Sequence, residues 1–214
     1  MHLHATPDNI IVSEHQLFFH YKPHGLRDTV AYGLVRFALW VADTFFRERY
    51  GHRAVVLETV AAVPGMVGGM MQHFKALRHL RDDGGWIRTL LAEAENERMH
   101  LMVFIHIAQP TSLERLLIFV AQWVFGLSYF CIYLFSPHTA HRLAGYLEEA
   151  AVHSYSEYLA EVEANERKNI PAPALAIRYW SLAPAARLRE VIIATRNDEM
   201  HHRDVNHKLA DTLN

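Results

Sequence analysis

Apolar residues recur along this chain at spacings of three and four, and nowhere do they alternate with polar ones in the two-residue rhythm of a half-buried strand. The pattern predicts an all-α fold, and no repeat of solenoid type is visible. Residues 28–50, DTVAYGLVRFALWVADTFFRERY, form a helix with a wide apolar face, its charges thinned to Asp28, Arg36 and Asp43 before a basic end at Arg47 and Arg49. A second helix runs from about Arg53 to His79 through VPGMVGGM, where Pro64 and three glycines predict a kink or very close packing against a neighbour. DDGG at 82–85 ends it, residues 86–108 make a third helix, and QPTS at 109–112 makes the next break, with Ser112 as the expected N-cap.

From Leu116 to Phe135 twenty consecutive residues carry no charge, a length that could span a bilayer. A helix rich in Glu and Ala follows from about His138 to Asn165. The proline-rich segment KNIPAPALAIRYWSLAPA reads as a connector that wraps rather than continues a helix. The last helix is expected from near Ala185 to about Leu209.

At 214 residues the chain is long enough for one domain with a real core. Its 21 basic and 23 acidic residues nearly balance, so nothing argues for nucleic acid as a partner. The anomaly is 16 histidines, which raises the expectation of a metal or redox site, although most of them have the ordinary reading of surface residues. With Cys131 the single cysteine, any metal is held by nitrogen and oxygen. The stretch MHLHATPDNIIVSEH has neither the basic and apolar segments of a signal peptide nor the Arg-rich, acid-poor character of a transit peptide. It fits a bacterial-type chain or one whose presequence has been cut away.

The chemistry is concentrated in two copies of one motif. Glu97 and His100 in ENERMH, and Glu199 and His202 in DEMHH, each put a carboxylate and an imidazole on one face of a helix, three residues apart. A lone Glu-x-x-His is expected by chance in many helices. Here two further helices each contribute a carboxylate, Glu58 in VVLETVAA and Glu148 in AGYLEEAAVHSY. Two Glu-x-x-His helices and two single-Glu helices are the ligand set with which a four-helix bundle holds two metal ions in its core. Four carboxylates offset most of the charge of the pair, and two neutral imidazoles complete it while leaving positions open for a substrate.

The segments RAVVLETVAAVPGMVGGM, LAEAENERMHLM, GYLEEAAVHSY, PAPALAIRYW and DEMHHRDVNH resemble the signature segments of the alternative oxidases, cyanide-insensitive quinol oxidases with a non-haem di-iron centre. The resemblance covers roughly residues 28–210, which divides the chain into an extension at 1–27, a di-iron helical domain at 28–210 and a tail at 211–214. It implies a ferritin-like four-helix bundle with two additional apolar helices lying on one leaflet of a respiratory membrane, and a homodimer. That membrane would be the cytoplasmic one in a bacterium and the mitochondrial inner one otherwise. The in-plane reading suits Leu116–Phe135 because both its neighbours must return to the level of the ligands.

The implied reaction oxidises two ubiquinols and reduces one oxygen to two waters, without proton pumping. The implied cofactor is two iron ions on Glu58, Glu97, His100, Glu148, Glu199 and His202, with Tyr155 as the redox-active tyrosine beside them. Asn96, Asp198, His141 and Trp180 are implied to orient the ligands, and Arg53, Leu57, Leu147 and Ala151 to lie near the quinol head group. Glu93 and Glu95 are expected to face other helices or solvent.

Three departures stand out. Ala150 follows Glu148 and Glu149 where the family commonly has a third acid. Of the arginine that relatives place near the quinone, Arg36 is the nearest candidate. No N-terminal cysteine is present for the thiol switch of plant members, and Cys131 in an apolar helix is a poor substitute. The alternatives are a plastoquinol-type terminal oxidase, a related di-iron oxygenase such as a hydroxylase, and a non-enzymatic ferritin-like metal-binding protein.

Overall fold

The computed structural model describes the backbone of residues 14–46 and 50–213, and the side chains of these except at 14, 15, 43, 45, 46, 50–53 and 56. Among the described residues the chain is all-α: α1 (Glu14–Leu17), α2 (Gly25–Phe46), α3 (Tyr50–His79), α4 (Trp86–Ala108), α5 (Ser112–Phe135), α6 (Pro137–Glu163), α7 (Ala174–Tyr179) and α8 (Leu188–Asp211). Among the described residues the single extended pairing is a bridge between Pro171 and Arg187.

Four of these helices share a core. Val55 of α3, Phe104 of α4, Tyr155 and Leu159 of α6 and Ile192 of α8 belong to one buried cluster, so α3, α4, α6 and α8 make the bundle. Within it α3 pairs with α4 and α6 with α8. A second cluster joins Ala31 and Val35 of α2, Tyr129 and Tyr133 of α5, and Val63, Ala140 and Leu143 of the bundle, which lays α2 and α5 against α3 and α6. On another side, Ala176 and Trp180 of the α7 region pack with Val103 of α4 and Val191 of α8.

The α3–α4 contact resolves what VPGMVGGM is for. The helix runs without a break through Pro64, and a Cβ added to Gly65 would lie 2.4 Å from the Leu90 carbonyl oxygen. At Gly68 and Gly69 an added Cβ would come nearest to side chains, those of Leu90 and Leu91, at 3.1 and 2.9 Å. Hydrogen at Gly65 lets the two backbones approach in a way no other residue allows.

Chain breaks follow local chemistry. Gly84 and Gly85 take positive φ of 65° and 86° in the DDGG turn, and the Asp83 carboxylate accepts from the Ile87 amide at 2.8 Å to start α4. The N-cap of α5 is Thr111, not Ser112: its hydroxyl accepts from the Glu114 amide while Glu114 accepts from the Thr111 amide at 2.8 Å. That reciprocal pair needs an acid three residues on, which Thr111 has and Ser112 lacks. The connector is not wholly irregular, since it contains α7. The last helix starts at Leu188 rather than Ala185 because the strand-like pairing claims the preceding backbone, with the Ala172 amide donating to Ala186 and the Leu188 amide to Ile170.

Candidate metal centre

Each bundle helix delivers its carboxylate or Glu-x-x-His to one level of the core: Glu58 from α3, Glu97 and His100 from α4, Glu148 from α6, Glu199 and His202 from α8. All six are at most 5% exposed. Their donor atoms converge in two groups of four, Glu58, Glu97, His100 and Glu199, and Glu97, Glu148, Glu199 and His202, with the atoms of each group within 4.8 Å of one another. Glu97 and Glu199 belong to both groups. The geometry is that of two adjacent cation positions, each with one histidine and one carboxylate of its own and two carboxylates in common.

Nδ1 of His100 lies 3.3 Å from Glu58, 3.4 Å from Glu97 and 3.1 Å from Glu199. Nδ1 of His202 faces Glu97 closely and Glu199 at 4.0 Å. Without cations this is an electrostatic conflict. Burial, then the charges of Glu199 and Glu97, push the Glu58 carboxyl well above its usual range, and Glu148 is raised by the same three causes. Burial also opposes the charge on Glu97, yet the imidazoles of His100 and His202 outweigh it and hold Glu97 low. Against burial, the surrounding carboxylates raise His100 well above its usual value and bring His202 up to about 9. Both oxygens of Glu97 and of Glu199, and both Nδ1 atoms, are buried without a hydrogen-bond partner. Bare buried oxygens and nitrogens in this number are costly unless a cation takes them, so the donor set fits a metal pair.

The residues expected around the ligands divide. Asp198 Oδ2 accepts from Asn96 Nδ2 at 3.0 Å and Trp180 Nε1 at 2.8 Å, and lies 3.2 Å from His100 Nε2. Burial disfavours the Asp198 charge, but these donors and His100 hold its pKa below the usual value. Tyr179 was not foreseen, and its hydroxyl accepts from Asn96 at 2.7 Å. His141 sits one step back, bonded to Asn206 and Tyr133 rather than to a ligand.

Tyr155 donates its hydroxyl hydrogen to Glu58 Oε1 and stacks on Phe104 at 5.4 Å. Burial, and then Glu58, push its phenol well above 10. Tyr155 also lines a cleft of about 560 Å³, counted out to its open mouth, whose wall includes Leu57, Leu147 and Ala151 as well as Glu58 and Glu148. Three of the four expected head-group residues thus share one apolar cleft with the cluster, and the side chain of Arg53 lies outside the described residues. From α2 this cleft receives Leu39, whereas Arg36 is exposed, and Ala150 is in its wall.

Two expectations about flanking acids separate. Glu95 is exposed and paired with Arg98 at 2.7 Å. Glu93 is 4% exposed and accepts from Asn206 Nδ2 at 2.7 Å, so it belongs to the interior of the bundle beside the site. The signal was present in the spacing: Glu93 is one turn before Glu97 and Asn206 one turn after His202, on the same helix faces.

A family model described as alternative oxidase matches residues 12–211. The chain is 54% identical over 192 residues to ubiquinol oxidase 1c, mitochondrial, of Arabidopsis thaliana, covering 90% of this chain and 58% of that protein. Against ubiquinol oxidase, mitochondrial, of Mangifera indica it is 55% identical over 192 residues, 90% of this chain and 60% of the relative. Against ubiquinol oxidase, mitochondrial, of Batrachochytrium dendrobatidis it is 53% identical over 194 residues, 91% and 61%. The chain therefore spans about 60% of the length of these relatives.

Proposed function

Because this chain belongs to the alternative oxidase family, we propose that it oxidises ubiquinol and reduces oxygen to water at a di-iron centre, without proton pumping. The observation that carries this reading is the convergence of six buried side chains into two four-donor groups at the end of an apolar cleft. Glu58, Glu97, His100, Glu148, Glu199 and His202 would hold the two ions, Glu97 and Glu199 being the residues that belong to both donor groups. The iron pair, when bound, supplies the electron storage and oxygen binding that no side chain of this chain provides.

The chain's own groups do the rest. Leu57, Leu147 and Ala151 give a quinol ring an apolar wall, with Arg53 on the same helix as Leu57. Tyr155 holds Glu58 by its hydroxyl at the meeting of cleft and cluster, in place to pass on a hydrogen atom leaving the quinol. Asn96, Asp198 and Trp180 fix the ring of His100, and His141 acts through Asn206. Bundle helices on all sides keep bulk water from the cluster.

The membrane reading rests on α2 and α5. Helix α5 is long and apolar enough to cross a bilayer. Yet Tyr129 and Tyr133 pack into the fold, while Leu116, Phe119, Trp123, Val124 and Leu127 are exposed, as are Leu34, Phe37 and Trp40 of α2. One apolar side and one packed side suit a helix lying in a single leaflet of a respiratory membrane. A ferritin-like storage protein has no use for such a surface. Homodimerisation has its support in a separate exposed stripe, Met66, Met70, Phe74 and Leu77 of α3 with Leu91 of α4. We assign residues 28–210 to the catalytic domain.

The test is oxygen uptake by membranes carrying the full chain, with ubiquinol as donor and cyanide present. Uptake is expected for the natural chain and absent for Glu97→Ala and His202→Ala. Uptake retained by either variant overturns the ligand assignment, and no uptake by the natural chain overturns the activity.

A further inference from the structure

Five buried side chains from five helices form one directional string. Gln72 Nε2 of α3 donates to the Tyr133 hydroxyl of α5 at 3.4 Å. Tyr133 Oη lies 3.3 Å from Nε2 of His141 on α6, and His141 Nδ1 lies 3.2 Å from Asn206 Oδ1 on α8. Asn206 Nδ2 donates to Glu93 Oε1 of α4 at 2.7 Å and to the His202 carbonyl at 3.1 Å. Since the Asn206 amide nitrogen serves two acceptors, its oxygen must accept from His141, which fixes the proton on Nδ1 and leaves Nε2 to accept from Tyr133. Burial keeps this imidazole neutral by lowering its pKa to about 4. Every link points toward Glu93.

The string ends on a carboxylate with one bare oxygen. Glu93 Oε2 is buried and has no hydrogen-bond partner, the same condition as the metal-facing atoms of Glu97, Glu199, His100 and His202. Glu93 is not one of the six residues in the two four-donor groups. The amide that donates to Glu93 also donates to the His202 carbonyl, and Glu93 stands one turn before Glu97 on α4. On the other side of the centre Asp198 meets His100 directly, its Oδ2 3.2 Å from Nε2.

We propose that Glu93 is a positioning carboxylate of the metal centre, aimed by Asn206 and serving the cation position of His202, as Asp198 serves that of His100. The inference rests on the di-metal reading above. A cation pair that gains charge on oxidation needs a counter-charge beyond its four carboxylate ligands, and Glu93 is a buried acid in place to supply it. The rest of the string keeps the Asn206 amide from flipping, so that Glu93 is always met by a donor on Oε1 while Oε2 is left without one.

The test is anaerobic titration of the purified full chain in detergent with ferrous ion, together with the melting temperature of the metal-free protein. The natural chain is expected to bind two ions. Glu93→Gln, which keeps the acceptor for Asn206, is expected to bind two ions with one site weakened about 10- to 100-fold and with metal-free melting unchanged or raised. Tyr133→Phe, which cuts the string at its middle, is expected to weaken the same site by less. Both sites at natural affinity in Glu93→Gln overturns the proposal, as does equal loss of both sites with lowered metal-free melting, which marks a structural role. Should Glu93→Gln not fold, Glu93→Asp decides, since it withdraws the carboxylate by one methylene and unchanged affinity overturns the proposal. A natural chain that binds no ion pair overturns the di-metal reading itself.

Discussion

Nε2 of His100 lies 3.2 Å from Oδ2 of Asp198, and the same oxygen accepts from Asn96 and Trp180. One carboxylate oxygen therefore gathers three nitrogens from two segments, α4 and the end of α7, and fixes the ring so that Nδ1 faces Glu58, Glu97 and Glu199. Asp198→Asn can keep an acceptor at that point and lose only its charge. We expect about 10- to 100-fold weaker metal binding with the fold intact. Metal titration and circular dichroism together check it, and undiminished affinity would remove Asp198 from the centre.

Tyr155 and Glu58 give the second prediction. In Tyr155→Phe the ring still stacks on Phe104, so metal content and melting temperature should hold near the natural values. Quinol-dependent oxygen uptake should fall by about 10²-fold or more, the usual contribution of a placed proton-transfer group. Unchanged uptake would leave Tyr155 a core tyrosine with a satisfied hydroxyl.

The six converging side chains were legible in the chain because a helix turns spacing into facing, and two Glu-x-x-His pairs leave few other uses for two lone glutamates. Helix boundaries were legible wherever the break is made by local residues, as at DDGG. They were misread at Ser112 and Ala185, where a capping partner three residues on and a backbone pairing with a distant segment decide the outcome. For Glu93 the expectation of other helices or solvent left two outcomes open, and it is another helix that Glu93 meets. Its neighbours in sequence, Glu95 and Arg98, are exposed, and only the third dimension brings Asn206 of α8 to it. Arg36 and Leu39 differ by less than one turn, so which of them reaches the cleft depends on the packing of α2 on the bundle.

Close packing of α3 on α4 yields the third prediction. Gly65→Ala would drive a methyl into the Leu90 carbonyl at 2.4 Å, with backbone on both sides unable to yield. The expected loss is about 1–3 kcal/mol or more, as for overpacked cores. Gly33→Ala and Gly126→Ala are the controls, since a Cβ there meets nothing within 4 Å. In their helices they should be neutral or stabilising by about 0.5–1 kcal/mol. Denaturant midpoints in detergent check the contrast, and a Gly65→Ala chain as stable as the controls would refute the close approach.

Glu93 also gives the metal-free chain a pH dependence of definite sign. Burial raises its carboxyl from 4.5 to about 7. Between those values the folded chain holds a proton that the unfolded chain has released, so stability is fully present below pH 4.5 and declines as pH rises toward 7. A shift of this size corresponds to roughly 3 kcal/mol. Glu58 and Glu148 are raised as well and tilt the profile the same way, so the quantity to measure is the difference between Glu93→Gln and the natural chain. That difference should grow in favour of the variant from pH 4.5 to 7 by about 3 kcal/mol in metal-free protein. With cations bound, ionised Glu93 is favoured, and the difference should shrink or reverse. A difference independent of pH in the metal-free state would mean that Glu93 is ionised throughout, compensated by a charge other than the metal pair.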